Sequence, residues 1–184
     1  TRVITGEADR LGNLVDRMLG PNNVPDRRQT NIHLVLEHVK SLVDAESYQG
    51  LCIEREYDPS IPEMSADAEM LIQAFLNIVR NAAQAGAQRI VLRSRTERQF
   101  TIGHDRHKLA VRVDIIDDGA GIPEALRESI FYPMVTGRAD GTGLGLSIAQ
   151  SLINQHQGII ESTSEPGQTV FTIYLPLEIG RAHV

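Results

Sequence analysis

Two asparagines, Asn77 and Asn81, lie one helical turn apart in a segment whose apolar residues recur with helical spacing. At about 100° per residue they share one flank of that helix, beside an apolar stripe formed by Leu71, Phe75 and Ile78. Asparagine is unfavourable within a helix because its amide competes with the backbone for hydrogen bonds, so the pair indicates a use. Amide oxygens are hard, neutral ligands that suit a magnesium ion held mainly by phosphates. On this segment alone, two surface asparagines without a role remain the alternative.

A second candidate group follows a β-rich run, at residues 117–123 (DDGAGIP). Asp117 is a carboxylate fixed at a strand end, where it can accept a hydrogen bond from an exocyclic amine. Gly119 and Gly121 carry no side chain, so a ligand ring can lie against the backbone beside them. The segment, which continues through Ile122, therefore predicts a pocket for a flat ring that bears an amine.

A third candidate group opens a predicted helix at residues 141–146 (GTGLGL). Backbone amides at a helix N-terminus, with the helix dipole behind them, form an anion site that suits phosphates. Alternating glycines are weak evidence alone, because the Gly-Lys-Ser/Thr ending of a Walker motif is absent and no strand leads directly into the segment as in a dinucleotide fold. A flexible surface loop would explain these glycines, but not their combination with a strand-end aspartate and a two-asparagine helix.

These residues need a scaffold, which periodicity and turn residues predict. Helices are predicted at 31–46, 66–86 and 142–157, and strands at 51–57, 89–98, 108–116, 159–164 and 168–175. The second and third strands form a hairpin with a polar connection around residues 103–105. The pattern predicts an α+β fold, a two-layer α/β sandwich with helices on one face of a mixed, mostly antiparallel sheet.

The two ends of the chain differ from this scaffold. Residues 5–19 have near-heptad apolar spacing and predict an amphipathic helix within a unit at 1–20. Residues 21–30 are polar and contain prolines, which predicts a linker before the main domain at 31–177. The tail at 178–184 follows the last strand and is expected to be disordered.

Composition excludes several classes of function. The chain has 184 residues with 18 basic and 24 acidic side chains, a net charge of −6, which argues against nucleic acid or an anionic membrane as the partner. No apolar run approaches the ~18 residues of a membrane span, and no secretory pattern is present, so a cytoplasmic domain is expected. The single cysteine, Cys52, excludes an internal disulfide and is expected to be a small buried apolar residue.

Five motifs in order resemble the N, G1, F, G2 and G3 boxes of sensor histidine kinases: LNIVRNA, DDGAGI, FYP, GTGLGLSIA and PGQTVF. These kinases share a superfamily with gyrase, the Hsp90 chaperones and MutL. The match covers roughly residues 31–177 and implies an α/β sandwich that binds ATP and magnesium under a mobile lid. The segments ADRLGNLVDRMLGP and FYPMVTGRADGTGLGLSIAQ resemble the nitrogen-regulation class of these kinases.

The resemblance implies a role for each matching residue at the base and the metal. Asn81 matches the magnesium-coordinating asparagine, and Asn77 is its helper one turn earlier. Asp117 matches the residue that reads the adenine amino group. Four more residues would shape and close the purine pocket: Gly119, Gly121, Ile122 and Thr169.

The resemblance also assigns the lid and the phosphate site. The lid begins at Phe131 and Tyr132, and Arg138 is its only basic residue, which implies a phosphate contact, with a solvated loop arginine as the alternative. Gly143, Leu144 and Gly145 would supply amides to the phosphates, and three neighbours are expected to bind the nucleotide with them: Gly141, Thr142 and Leu146. In one departure, Gln84 stands where many sensor kinases carry a basic residue, which puts part of their phosphate clamp in doubt.

The identity of residue 77 bears on the reaction. Relatives that hydrolyse ATP carry a glutamate there to activate water, whereas the amide of Asn77 cannot act as a base. The site is therefore expected to orient ATP for an imidazole nucleophile and to leave water poorly activated. None of the 6 histidines lies in the family's H-E-x-x-N-P phosphoacceptor context, so they are expected to be solvated or capping, with His156 a cation at a helix end.

Residues 1–20 resemble the second helix of the family's dimerisation and phosphoacceptor hairpin, so the acceptor histidine is expected on a missing first helix. The chain alone is expected to be a monomer that cannot phosphorylate itself, and the longer protein a homodimer. The resemblance implies phosphotransfer to an NtrC-type response regulator, phosphatase activity toward it, and control by a PII-type signalling protein. An ATP-hydrolysing or serine-kinase relative, or a nucleotide-dependent docking module, remains the alternative.

Overall fold

The computed structural model describes residues 24–137 and 143–178. Within them lie three α-helices, α1 (Ile32–Ala45), α2 (Ala68–Gln84) and α3 (Gly145–Gln155), and a short 3-10 helix (Glu124–Leu126). The strands are β1 (Arg28–Thr30), β2 (Cys52–Glu56), β3 (Met64–Ala66), β4 (Arg89–Ile102), β5 (Asp105–Asp117), β6 (Ile159–Glu165) and β7 (Gln168–Pro176). No helix in this part of the chain has both the length and the apolar character that a membrane span requires. The predicted helix at 5–19 and most of the predicted tail lie outside the described residues.

Five strands form the main sheet in the order β2-β4-β5-β7-β6, in which β2 and β4 are parallel and all other pairs are antiparallel. The register places alternate apolar residues of the central strands on one face, where they are buried in a common core with the helices: Ile90, Leu92, Val113, Ile115, Phe171 and Ile173. The opposite face carries Arg93, Arg95 and Arg112 in ion pairs. The predicted fold class and the predicted β4–β5 hairpin are confirmed.

Helix α2, which carries the asparagine pair, is fixed at both ends and along its apolar stripe. The Asp67 carboxylate caps its first turn by accepting a hydrogen bond of 3.1 Å from the Met70 N–H. The chain leaves the helix through Gly86, whose φ of +86° is a left-handed conformation that glycine adopts without steric cost. The predicted stripe is buried at Leu71, Ala74, Phe75, Ile78 and Ala82. The flank with Asn77 and Asn81 is thereby held in one orientation.

The structure differs from two predictions in the N-terminal half. Residues 28–30, predicted as the end of a linker, form β1, which pairs antiparallel with β3 and donates a hydrogen bond from the Thr30 hydroxyl to the Ala66 carbonyl. A strand of this length is too short for a period of two to show in the sequence. Cys52, predicted to be buried, is exposed, because it begins β2 at the edge of the sheet.

His156, predicted to be a solvated or capping cation at the end of α3, is buried and neutral. It is 2% exposed, its Nε2 accepts the Asp67 N–H at 3.0 Å, and its Nδ1 donates to the Leu152 carbonyl at 2.9 Å. Burial lowers the pKa of His156 below its ordinary value of 6.5. The ring therefore connects the end of α3 to the start of α2.

Lowering the pH from about 7.5 to about 5.5 is expected to destabilise the fold, because His156 binds a proton more readily in the unfolded chain. Its folded pKa is depressed, so its contribution is complete above the unfolded pKa of about 6.5 and is lost as the pH falls toward the folded value. Urea denaturation at both pH values measures the effect. The His156→Gln variant is expected to show a smaller pH dependence. Equal pH dependence in wild type and His156→Gln would contradict this role.

Candidate functional site

Strand register brings three polar side chains together at one end of the sheet. Asp117, the last residue of β5, pairs with Thr169 of β7, and Thr169 pairs with Ser164 of β6. Directly paired residues project from the same face of a sheet, and here that face is the one covered by the helices. The hydroxyls of Ser164 and Thr169 lie 2.8 Å apart, and both Asp117 and Thr169 are buried.

The Asp117 carboxylate is oriented by the loop that follows it. Its Oδ1 accepts the Gly119 N–H at 2.9 Å, and the residue is 5% exposed. Burial raises the pKa of Asp117 above its ordinary value of 3.8, and the Gly119 N–H opposes that shift. A carboxylate accepts hydrogen bonds through both oxygens, so Asp117 can also receive one from an exocyclic amine.

Close packing explains why residues 119 and 121 are glycines. A Cβ atom at Gly119 would lie 2.9 Å from Asp117 Oδ1, and one at Gly121, where φ is +84°, would lie 3.1 Å from Ser164 Oγ. The next residue, Ile122, donates its N–H to Ser164 Oγ at 2.8 Å. Glycine at these two positions therefore leaves the Asp117 carboxylate and the Ser164 hydroxyl in the places that they occupy.

Ser164 is a site residue that the sequence analysis does not identify. Its hydroxyl contacts Thr169 and accepts the Ile122 N–H, so it connects the β6–β7 hairpin to the loop after β5. The signal that could reveal it is the tight turn at Pro166 and Gly167, because counting back from Thr169 across that turn gives Ser164 as the antiparallel partner.

The asparagine flank of α2 faces the start of α3. The Asn77 side-chain amide donates to the carbonyl of Gly145, the first residue of α3, at 3.3 Å. Asn81, which is partly buried, lies one turn further along the same flank. The first backbone amides of a helix have no acceptor within it, so the end of α3 that could bind an anion is held beside Asn77.

The segment before α3 packs against the segment that begins at Phe131. The Met134 N–H donates to the Gly143 carbonyl at 3.0 Å, and φ is +68° at Met134 and +69° at Gly143. A Cβ atom at Gly143 would lie 2.5 Å from the Met134 carbonyl carbon. Phe131 itself packs edge-on against Phe171 in the core, with ring centroids 6.2 Å apart. The start of the predicted lid is therefore anchored to both the core and the predicted phosphate loop.

Most of the predicted site residues lie at this end of the sheet or near the start of α3: Asn77, Asn81, Asp117, Gly119, Gly121, Ile122, Gly143, Leu144, Gly145, Leu146 and Thr169. Tyr132 is 65% exposed and lines a groove with Gln150 and Asn154 of α3, so its nucleotide contact stays a prediction. The remaining three, Arg138, Gly141 and Thr142, lie outside the described residues.

Comparison with known proteins gives relatives along nearly the whole chain. The family described as Histidine kinase-, DNA gyrase B-, and HSP90-like ATPase matches residues 66–179. The sensory histidine kinase/phosphatase NtrB of Vibrio alginolyticus is 52% identical over 181 residues, which are 96% of this chain and 52% of that protein. NtrB of Rhodobacter capsulatus is 36% identical over 184 residues, with the same coverage of 96% and 52%. The chain thus spans about half the length of these relatives.

Solved structures agree with this assignment. The catalytic domain of histidine kinase ThkA aligns with a TM-score of 0.68 and 29% identity, covering 83% of this chain and 96% of that one. ThkA in complex with the response regulator TrrA aligns with a TM-score of 0.71 and 27% identity, covering 96% of this chain and 50% of that one. The chain belongs to the histidine kinase-, DNA gyrase B- and HSP90-like ATPase family, as an ATP-binding catalytic domain of the NtrB-like sensor histidine kinase type.

Proposed function

We propose that this chain binds ATP with magnesium and presents the terminal phosphate to a histidine on the phosphoacceptor hairpin of a two-component sensor kinase. The observation that carries the proposal is the buried Asp117 carboxylate, held by the Gly119 N–H in a loop whose residues 119 and 121 carry no side chain. That arrangement offers a fixed acceptor to the exocyclic amine of adenine and a flat surface to its ring. The anion-binding end of α3 lies beside Asn77 to receive the phosphates.

The side chains of this site position the substrate and do not break bonds. Asn81 would hold the magnesium ion, which neutralises charge on the phosphates when it is bound. Asn77 uses its amide donor on the Gly145 carbonyl, so it fixes the start of α3. An amide cannot remove a proton from water, and so the oriented phosphate awaits an imidazole nucleophile, which needs no strong base when neutral.

Two histidines, His33 and His156, make internal contacts and therefore do not suit the role of phosphoacceptor. His33 shares a hydrogen bond of 2.8 Å with Ser94 Oγ and stacks on Tyr57 with ring centroids 4.6 Å apart. His156 uses both ring nitrogens inside the core. An acceptor supplied by a separate helical hairpin is consistent with this arrangement.

With γ-labelled ATP, the chain alone is expected to acquire no label, whereas an added phosphoacceptor hairpin from an NtrB-like kinase is expected to acquire an acid-labile one. Transfer between separate polypeptides is expected to be slow, because the effective concentration provided by a covalent connection is lost. A hairpin with glutamine in place of its acceptor histidine is the control. Self-labelling of the chain, acid-stable label, or ATP hydrolysis that survives Asn77→Ala would support the ATP-hydrolysing or serine-kinase alternative instead.

Relay of the phosphate to an NtrC-type response regulator, and phosphatase activity toward it, belong to the same proposal. The support comes from relatives named as histidine kinase/phosphatase NtrB and from the aligned ThkA–TrrA complex. A second candidate function, ATP-dependent docking of a PII-type protein, is favoured by Tyr132 and Met134, which are 65% and 73% exposed and lie next to the phosphate loop. A PII affinity that does not change with ATP would argue against this second function.

A further inference from the structure

A triphosphate needs positive charge at its binding site, and the two helices beside this site carry a single basic side chain. Helices α2 and α3 are described in full, and Arg80 is the only lysine, arginine or histidine in either. Gln84, at the position where many sensor kinases carry a basic residue, is neutral. Backbone amides orient phosphate oxygens, but a guanidinium adds a charge-assisted hydrogen bond. Arg80 is therefore the residue to test for this role.

Arg80 directly precedes Asn81 on α2 and is partly exposed. At about 100° per residue it is about 60° around the helix from Asn77, and roughly 4.5 Å further along the axis. Asn77 in turn is hydrogen-bonded to Gly145 at the start of α3. The flexible arginine side chain thus leaves α2 within one turn of Asn77 and, unlike the apolar stripe of α2, is not packed into the core.

The partner that holds Arg80 is an acidic residue at the end of α1. Arg80 Nε donates to Glu46 Oε1 at 2.7 Å, and its Nη2 donates to the same oxygen. The two side chains remain 32% and 29% exposed. A pair with this much access to water contributes little net stability, so Arg80 can exchange Glu46 for another anion at small cost.

The same acidic residue organises the position where a basic residue is missing. The Tyr48 hydroxyl lies near Glu46 and Gln84, and burial together with the Glu46 charge raises the pKa of Tyr48 above its ordinary value of 10.0. The Arg80–Glu46 pair therefore places one cation and one anion beside Tyr48, near the end of α2 that carries Gln84.

We propose that Arg80 is a phosphate-binding cation of this site and that Glu46 competes with the phosphates for its guanidinium. The inference rests on the proposed ATP function and adds a residue, beside the predicted Arg138, that recognises the charge of the nucleotide. The planar guanidinium that donates twice to a carboxylate can donate in the same way to phosphate oxygens. Removing the charge of Glu46 would release Arg80 for the phosphates.

Calorimetric titration with ATP, and competition by adenosine, would test the proposal. Arg80→Ala is expected to weaken ATP binding by about tenfold and to leave adenosine binding unchanged, since adenosine carries no phosphate. Arg80→Gln, which can still hydrogen-bond to Glu46, should lose as much, whereas Arg80→Lys should recover part of the affinity. Glu46→Gln is expected to strengthen ATP binding by about two- to threefold, and this gain should vanish when Arg80 is also replaced.

The matched control is Arg55→Ala, which removes a comparable exposed ion pair with Glu37 at 3.0 Å and should leave both affinities unchanged. Unchanged ATP affinity in both Arg80→Ala and Arg80→Gln, or an equal loss of ATP and adenosine in folded variants, would overturn the proposal. Thermal unfolding identifies the variants that are folded. Absence of ATP binding by the wild-type chain would instead reject the proposed function itself, so the two failures are distinguishable.

Discussion

Replacing Asp117 with asparagine is expected to weaken ATP binding by about 30- to 150-fold, which corresponds to ~2–3 kcal/mol. The variant keeps the shape of the side chain, and its Oδ1 can still accept the Gly119 N–H that holds Asp117 at 2.9 Å. Its second polar group becomes an amide donor, which faces the amine donor of adenine. Because the site is buried, neither donor can hydrogen-bond to water instead. Both donors stay unpaired, and their full desolvation cost reduces the free energy of ATP binding.

The neighbouring carboxylate provides the control for this prediction. Asp118 Oδ1 accepts the N–H groups of Gln88 and Arg89 at 2.8 and 2.9 Å, so its role is to hold the loop onto the start of β4. Asp118→Asn retains that acceptor and is expected to bind ATP with wild-type affinity. Titration calorimetry on both variants separates the two roles. Wild-type affinity in Asp117→Asn would show that the adenine site has been assigned to the wrong residue.

The parts of the site that could be predicted from the sequence are those whose signal is local. Asp117, Gly119 and Gly121 lie within one short segment, where a strand end and two residues without side chains already indicate a flat pocket. The asparagine flank of α2 follows from helical periodicity in the same way. Ser164 could not be found locally, because its role arises from cross-strand pairing with Thr169 and from the Ile122 N–H of a distant loop.

The predictions that differ from the structure failed for a related reason. A helix end favours a cationic histidine, but the burial of His156 between α3 and the start of α2 outweighs that preference. Cys52 lies in an apolar stretch of sequence, yet the strand that it begins is at the sheet edge, so its neighbours do not cover it. In both cases the burial of the side chain depends on where its helix or strand packs in the fold. The periodicity of the sequence does not reveal that packing.

The contact between Gly143 and the Met134 backbone also depends on tertiary packing, and an added methyl group at residue 143 is expected to have a large effect. In Gly143→Ala, the new Cβ atom would approach the Met134 carbonyl carbon to 2.5 Å and its Cα to 2.7 Å. Backbone atoms cannot rotate away as a side chain can, so the start of α3 must shift relative to the Met134 segment. A misplacement of about 1 Å is expected to slow phosphotransfer to an added hairpin by roughly a hundredfold.

Gly167→Ala isolates that contact from backbone strain. Gly167 has a φ of +84°, compared with +69° at Gly143, but a Cβ atom at Gly167 would meet nothing within 4 Å. In both variants, alanine in the left-handed region lowers the free energy of unfolding by about 1 kcal/mol, which urea denaturation measures. Only Gly143→Ala is expected to lose phosphotransfer, because only there does the added methyl group displace the end of α3 that is proposed to bind the phosphates. Equal transfer rates in the two variants would mean that the close approach of Met134 to Gly143 does not position the nucleotide.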